Sequence, residues 1–117
     1  MKRDMDLARK ILLETEKHQK PDEPLELQFE GHSPKEVAYH VKLLAQAGLI
    51  EAFEGSRMGA FEWWPTSLTW NGHEFLDAAR DDQRWTKAKA RIGEKGLALS
   101  FDLLKFALTE GMRHLLT

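Results

Sequence analysis

Apolar positions recur at helical spacing near the start of the chain and predict an amphipathic first helix. The buried stripe would consist of Leu7, Ala8, Ile11, Leu12 and Thr15. Asp4 precedes this stripe as an N-cap residue, and Pro21 is incompatible with a continuing helix. The pattern therefore predicts a helix from Met5 to His18.

The pattern then changes from alternation to helical spacing. Residues 25–29 alternate apolar and polar side chains, which predicts a short, half-buried strand. Ser33, Pro34 and Glu36 follow in the order of an N-cap, a first helical residue and a capping-box partner. Since Gly48 is a typical C-cap residue, we predict a central helix between Ser33 and Gly48.

Two further apolar stretches are separated by small and polar residues and predict a β-hairpin. The first strand is expected from Ile50 to Glu54 and the second from Ala60 to Trp64. Residues 55–59 contain two glycines and form the predicted turn. Pro65 cannot donate a ladder hydrogen bond, so we expect it to end the second strand.

The last third of the chain has a helical pattern. Thr69 is a predicted cap, and the apolar spacing resumes after the polar run 80–84, which favours one long helix to about Ile92. Gly93 and Gly96 then indicate a loop. Ser100 caps a last predicted helix over residues 101–116, whose side chains are apolar nearly all round and would suit a partner surface.

Composition limits the class of protein. A chain of 117 residues without cysteine suits one compact domain in a reducing cytoplasm, and excludes a disulfide framework. The first residues are amphipathic, which predicts neither a signal peptide nor a membrane span. A formal charge of −2 and a pI near 6.2 argue against a nucleic-acid partner unless a local basic patch exists.

The predicted order of helix, strand, helix, hairpin and helix is typical of an α+β winged helix. Residues 38–50, AYHVKLLAQAGLI, resemble the recognition helix and its exit in MarR-, ArsR- and PadR-type regulators. Residues 68–76, LTWNGHEFL, are similar to the helix start that follows the wing in the same groups. The resemblance implies a DNA-binding, regulator-like protein in which the hairpin is the wing.

A second resemblance covers nearly every residue. The chain looks like a family of bacterial and prophage proteins that open with MKRDMDL and share stretches similar to YHVKLLAQAGLIEA and MGAFEWWPTSLTWNGHEFLDAARDD. That family is a domain of unknown function, so the resemblance implies a bacterial or prophage origin and no activity.

The chain departs from the regulator pattern at one point. A helix-turn-helix has a supporting helix in front of the helix that contacts DNA. Here residues 20–32 contain two prolines, a strand pattern and a glycine, so the supporting helix is expected to be reduced or missing. This departure keeps open an alternative function, in which the winged helix binds a protein and not DNA.

Candidate DNA contacts lie on the outer face of the central helix and at the hairpin turn. Spacings of four, three and four residues place the helical candidates on one face. The candidates are Lys35, Tyr39, Lys42, Gln46 and Arg57. Lysine and arginine would meet phosphates, whereas tyrosine and glutamine would approach base edges. The alternative is an ordinary solvated helix face and a polar turn.

The C-terminal part is expected to build a homodimer. We divide the chain into a winged-helix domain over residues 1–84 and a helical extension over residues 85–117. The candidate interface residues are Trp85, Phe101, Leu104, Leu108, Met112 and Leu115. A two-fold dimer would place two central helices about one DNA turn apart.

No residue pattern predicts catalysis, a cofactor or a metal. His73 and Asp77 have the spacing of a helical metal pair, but no third ligand accompanies them. His40 flanks the apolar stripe of the central helix and is expected to be structural. No nucleophile triad, phosphate-binding glycine loop or paired carboxylate signature is present in the sequence. We therefore expect a binding protein and not an enzyme.

Overall fold

The computed structural model describes residues 1–56 and 59–116, and the side chains of that range up to Glu110. Five helices and a two-stranded antiparallel sheet occur within these residues, so the chain is an α+β protein. The elements are α1 (Met5–Lys17), α2 (Pro34–Gln46), β1 (Ile50–Glu54), β2 (Trp63–Leu68), α3 (Trp70–Ala79), α4 (Asp82–Glu94) and α5 (Phe101–Leu116).

The chain forms two compact units, Met1–His73 and Glu74–Thr117. In the first unit α1 and α2 pack on each other, and both helices pack on the hairpin of β1 and β2. In the second unit α4 packs against α5. The division falls inside α3, and the functional boundary expected after residue 84 stays a prediction.

The predicted starts of α1 and α2 are confirmed, and α1 ends at Lys17, one residue before the predicted His18. The Asp4 carboxylate accepts hydrogen bonds from the backbone N–H groups of Asp6 and Leu7, at 2.9 and 3.1 Å. The Ser33 hydroxyl accepts one from the backbone N–H of Glu36 at 3.1 Å. Gly48 follows α2 with a φ of 79°, a left-handed conformation in which a side chain would be strained. Local capping chemistry therefore fixes both helices.

The strand predicted over residues 25–29 does not form. This segment carries the expected alternation, with Leu27 buried and its neighbours Glu26 and Gln28 exposed. However, its backbone link to the sheet among the described residues is one hydrogen bond, from the N–H of Leu25 to the carbonyl of Pro65 at 2.8 Å. One bond does not make a ladder, so the segment is extended without being a strand. No helix lies between α1 and α2 among the described residues. This agrees with the expectation, based on the two prolines, that the supporting helix is reduced or missing.

The second strand of the hairpin is displaced from its predicted position. It runs from Trp63 to Leu68 and passes through Pro65, which is buried and does not end it. The pairing register shifts between Glu51 and Ala52, where Pro65 lies opposite Ala52. A bulge tolerates proline because the ladder is interrupted there. The prediction failed because it applied the rule for a regular strand.

The long helix predicted through residue 92 is two helices. α3 ends at Ala79, and α4 begins after Asp81, whose carboxylate accepts a hydrogen bond from the Arg84 backbone N–H at 2.9 Å. Asp81 has an extended backbone, with φ −79° and ψ 121°, and therefore caps a new helix. The polar run that was expected to be solvated helix is a helix boundary. The predicted bounds of α5 are confirmed.

A tight junction joins the exit of α2 to the start of α3. The Thr69 hydroxyl donates to the Gly48 carbonyl at 2.6 Å, and the Thr69 backbone N–H donates to the Leu49 carbonyl at 3.0 Å. The same hydroxyl accepts a hydrogen bond from the Gly72 backbone N–H at 3.0 Å. A Cβ atom on Gly72 would lie 2.0 Å from the Leu49 carbonyl oxygen. The close approach therefore requires glycine at position 72.

We predict that Gly72→Ala destabilises the protein by about 3 kcal/mol or more. The added Cβ is fixed to the helix backbone, and the Leu49 carbonyl that it meets is itself backbone, so neither group can rotate away. Urea unfolding followed by circular dichroism measures the destabilisation. Gly93→Ala is the matched control, since nothing lies within 4 Å of its added Cβ. It lies in α4, where alanine stabilises by up to about 1 kcal/mol. Equal urea midpoints for the two variants would show that the junction does not require glycine at position 72.

Candidate functional site

The outer face of α2 and the neighbouring hairpin form the candidate site, which we call the α2–hairpin surface. Of the helical candidates, Lys35 and Gln46 are exposed, whereas Tyr39 and Lys42 are half-buried. Tyr39 packs edge-on against the His40 ring, with 5.9 Å between centroids. The four side chains therefore differ in how far they can reach toward a partner.

Lys42 links the helix to the hairpin. Its ammonium nitrogen lies 5.9 Å from the centroid of the Phe61 ring, at the outer limit of a cation–π contact. Phe61 stands just before β2 and is half-buried. The structure thus brings α2 and the hairpin together. It also places one of the two candidate lysines beside an aromatic ring.

A buried histidine holds the inner face of α2 to the start of α1. His40 is 1% exposed, and its Nε2 atom accepts a hydrogen bond from the backbone N–H of Asp4 at 2.7 Å. Its Nδ1 atom lies 2.8 Å from the Glu36 carbonyl and therefore carries the proton. This confirms the structural role expected of His40. It also explains why Asp4 caps α1 with its side chain while its own N–H points to α2.

Carboxylates surround the α2–hairpin surface. Glu51 and Glu54 are exposed on β1, and Glu62 is half-buried beside β2. Glu36, on the first turn of α2, hydrogen-bonds to the His32 ring. In the sequence of residues 1–73, twelve acidic residues outnumber nine basic ones. The unit that carries the candidate site is therefore acidic, and the acidic side chains extend along its hairpin.

The hairpin also presents aromatic side chains. Phe53 is 52% exposed and lies directly opposite the half-buried Trp64 across the two strands. Trp63 lies opposite Glu54 in the next pair. Phe53 is absent from the candidates predicted from the sequence, although strand alternation contained the signal: it is three positions after the buried Ile50 and so faces the other side.

A groove adjoins the same hairpin. It has a volume of about 560 Å³ and is lined along the extended segment before α2, along α2 itself and on β2. Its apolar lining includes Leu27, Phe29, Val37 and Trp64. Glu26, Glu30 and His32 supply polar lining. Apolar walls with a few charged groups are the usual composition of a binding groove.

The remaining predicted site residues are the hairpin-turn residue and the dimer residues, and they do not lie on the exposed face of α2. Arg57, the predicted contact at the hairpin turn, lies outside the described residues. Among the predicted dimer residues, Trp85, Leu104 and Leu108 are at most 3% exposed within this chain, and Phe101 is half-buried. The side chains of Met112 and Leu115 also lie outside the described part.

The buried members of that set form the core of the second unit. Phe75 makes edge-on contacts with Trp85 and Phe101, at centroid distances of 6.4 and 4.2 Å. A side chain that is already covered by its own chain offers no surface to a partner. Trp85, Leu104 and Leu108 are therefore committed to the interior of this unit, and the homodimer itself stays a prediction.

Some chemistry is absent from the described part of the chain. In residues 1–56 and 59–110, no group of three or more His, Cys, Asp or Glu side chains is arranged to hold a metal ion. In the same ranges, no helix is both long enough and apolar enough to cross a membrane.

The fold and the site define a small α+β protein whose candidate site is a surface and not an enclosed pocket. Residues 2–98 match the family described as "Hypothetical protein (DUF2513)". An uncharacterized protein of Haemophilus influenzae (strain ATCC 51907 / DSM 11121 / KW20 / Rd) is 42% identical over 111 residues, with 90% of each chain covered. The chain therefore belongs to the DUF2513 family. No solved structure matches it.

These findings confirm the predicted membership of a family of unknown function. They do not test the resemblance to MarR-, ArsR- and PadR-type regulators, which stays a prediction.

We predict that His40→Leu destabilises the protein by about 1–3 kcal/mol, because the Asp4 N–H would have no acceptor while the shape of the side chain is roughly kept. His73→Leu is the control, since His73 is exposed on α3, and its effect should stay within about 0.5 kcal/mol. Thermal unfolding of both variants measures the difference. A small, equal effect would show that the link between α1 and α2 contributes little.

Proposed function

We propose that residues 1–73 are a reduced winged helix that binds a protein partner through the α2–hairpin surface. The order α1, α2, hairpin and α3 supports the winged-helix assignment, with the supporting helix replaced by an extended segment. The observation that carries the function is the exposed Phe53 with the exposed carboxylate of Glu51, which lies two positions earlier on the same face of β1.

Charge favours a protein over DNA at this surface. Duplex DNA carries a dense row of phosphates, and a protein that binds it neutralises several of them with lysine and arginine. The described part of the surface offers Lys35 and Lys42 for that purpose. Glu51, Glu54 and Glu62 stand on the hairpin that would approach the backbone and would be repelled by it.

The same side chains suit a protein that carries basic and apolar residues. Phe53 can pack against an apolar side chain, and aromatic residues are enriched where interfaces bury their centres. Glu51 lies on the same face of β1 as an acceptor for lysine or arginine. The adjoining groove repeats this combination, with Trp64 and Phe29 next to Glu26 and Glu30.

DNA binding is the second candidate function. The order of the elements supports it, as does the placement of Lys35, Tyr39, Lys42 and Gln46 along one face of α2. The proximity of Lys42 to Phe61 also places α2 beside the hairpin. In this function α2 would enter a major groove and the hairpin would follow the backbone. No residue pattern supports catalysis, so a binding role is proposed in both cases.

A pull-down at low salt separates the two functions. We expect the tagged full-length chain to retain protein after nuclease treatment, and Phe53→Ala combined with Glu51→Lys to reduce the retained protein about tenfold or more, since both changes fall on the same exposed face of β1. Trp70→Ala is the control for nonspecific adhesion, because Trp70 is 80% exposed on α3. Retention of nucleic acid alone would reverse our order of the two functions.

The DNA function makes its own quantitative prediction. Lys35→Ala with Lys42→Ala should weaken binding to a short duplex and lower the slope of log affinity against log salt by about one for each phosphate that α2 no longer neutralises. Fluorescence anisotropy over a salt series measures both quantities. Lys10→Ala with Lys17→Ala removes the same charge from exposed positions on α1. If both pairs weaken binding equally, α2 makes no specific phosphate contact.

A further inference from the structure

The second unit carries an apolar groove between α4 and α5 that the proposed function does not use. Its volume is about 330 Å³. On one side it is lined by α4 and the residues that follow, and on the other by α5. The main lining residues are Arg91, Lys95, Leu97, Leu103, Phe106 and Glu110.

α5 has a second apolar face that lines this groove. Leu104 and Leu108 form the first face and are buried, at 0% and 2% exposure. Leu103 and Phe106 lie on the neighbouring face, where Phe106 is 65% exposed and Leu103 half-buried. Across the groove Leu97 is 49% exposed. Three large apolar side chains thus surround one concave surface, and two of them are largely in solvent.

Charges of opposite sign stand on the two walls. Arg91 and Lys95 are exposed on the α4 wall, and Glu110 is half-buried on the α5 wall. A uniformly acidic ligand would meet a carboxylate on the α5 wall, and a uniformly basic one would meet two cations on the α4 wall. The groove therefore suits an occupant that places acidic side chains against the α4 wall and a basic side chain against the α5 wall.

We propose that this occupant is a second copy of the same chain, which forms a two-fold dimer. A two-fold interface uses the same patch twice, so the patch must be complementary to itself. Here one patch contains both a protruding ring, Phe106, and a groove that can receive it. The rotation also brings Glu110 of each copy toward Arg91 and Lys95 of the other, so both signs are matched.

This interface differs from the one expected from the sequence. The apolar spacing of α5 selected Leu104 and Leu108, which its own chain covers. The surface proposed here lies on the neighbouring face of α5, which carries Leu103 and Phe106. The proposal does not depend on the α2–hairpin surface, and either can fail without the other.

Sedimentation velocity on the full chain tests the proposal between about 1 and 100 μM, the range in which a weak dimer's mass depends on concentration. The wild-type chain should approach twice the chain mass of 13.5 kDa. Phe106→Glu should sediment as a monomer at every concentration. Lys105→Glu introduces the same side chain at an exposed α5 position outside the groove lining and should remain a dimer.

Charge reversal provides a second test that does not alter an apolar residue. Arg91→Glu with Lys95→Glu, and separately Glu110→Lys, should each weaken self-association by about tenfold or more through like-charge repulsion. An equimolar mixture of the two variants should dimerise again, because opposite charges then face each other across the mixed interface. A monomeric wild-type chain, a dimeric Phe106→Glu variant or a mixture that stays monomeric would each overturn the proposal.

Discussion

The carbonyl group of Leu49 fixes the open end of the hairpin, opposite its turn, and the position at which α3 begins. It accepts the Thr69 N–H, which extends the pairing of Ile50 with Leu68 by one step, and the Gly72 backbone lies against it. The Thr69 hydroxyl fixes the neighbouring Gly48 carbonyl and caps α3 with the same atom. The two stretches that resemble winged-helix regulators, AGLI and LTWNG, are thus the two sides of one junction. Because this junction is a backbone constraint, the resemblance follows from how the fold closes and does not by itself indicate a DNA partner.

A second constraint acts on the opposite side of α2. The His40 side chain accepts the Asp4 N–H and so fixes the distance between α1 and α2. Since the inner face of α2 is committed to structure, the outer face and the hairpin are where the chemistry of the surface can vary. Among the described residues there, two lysines stand on α2 and three glutamates stand on or beside the hairpin strands, together with an exposed phenylalanine. The order of elements suits a DNA-binding domain, while the charges on the hairpin favour a different partner.

Sequence patterns predicted those elements whose ends are set by local chemistry. α1, α2 and α5 begin after Asp4, Ser33 and Ser100, each of which accepts a hydrogen bond from an N–H of the first turn. Three predictions failed where the local pattern does not decide the structure. The segment at Leu25 has a strand pattern but one bond to the sheet, and Pro65 is tolerated because of a bulge that only the pairing register reveals. Asp81 belongs to a polar run that equally fits a solvated helix or a cap. The helical candidates on α2 were predictable from spacing alone, whereas the acidic surroundings depend on which strand faces carry the glutamates of the hairpin.

α5 illustrates the limit of hydrophobic periodicity most directly. A helix that is apolar nearly all round predicts more than one packed face, but periodicity does not say which face the chain itself covers. In the second unit, Phe75 contacts Phe101 and Trp85, and Leu104 and Leu108 are buried on the same helix as Phe101. The neighbouring face then carries Phe106, whose exposure is unfavourable in water unless something else covers it. Since that face has a groove lined by side chains of both signs, the proposed symmetric partner would cover it with no additional chemistry. The two proposed interactions, partner binding at the hairpin and self-association at α5, would therefore use different residues: the hairpin is rich in carboxylates, and the α5 groove carries both signs of charge.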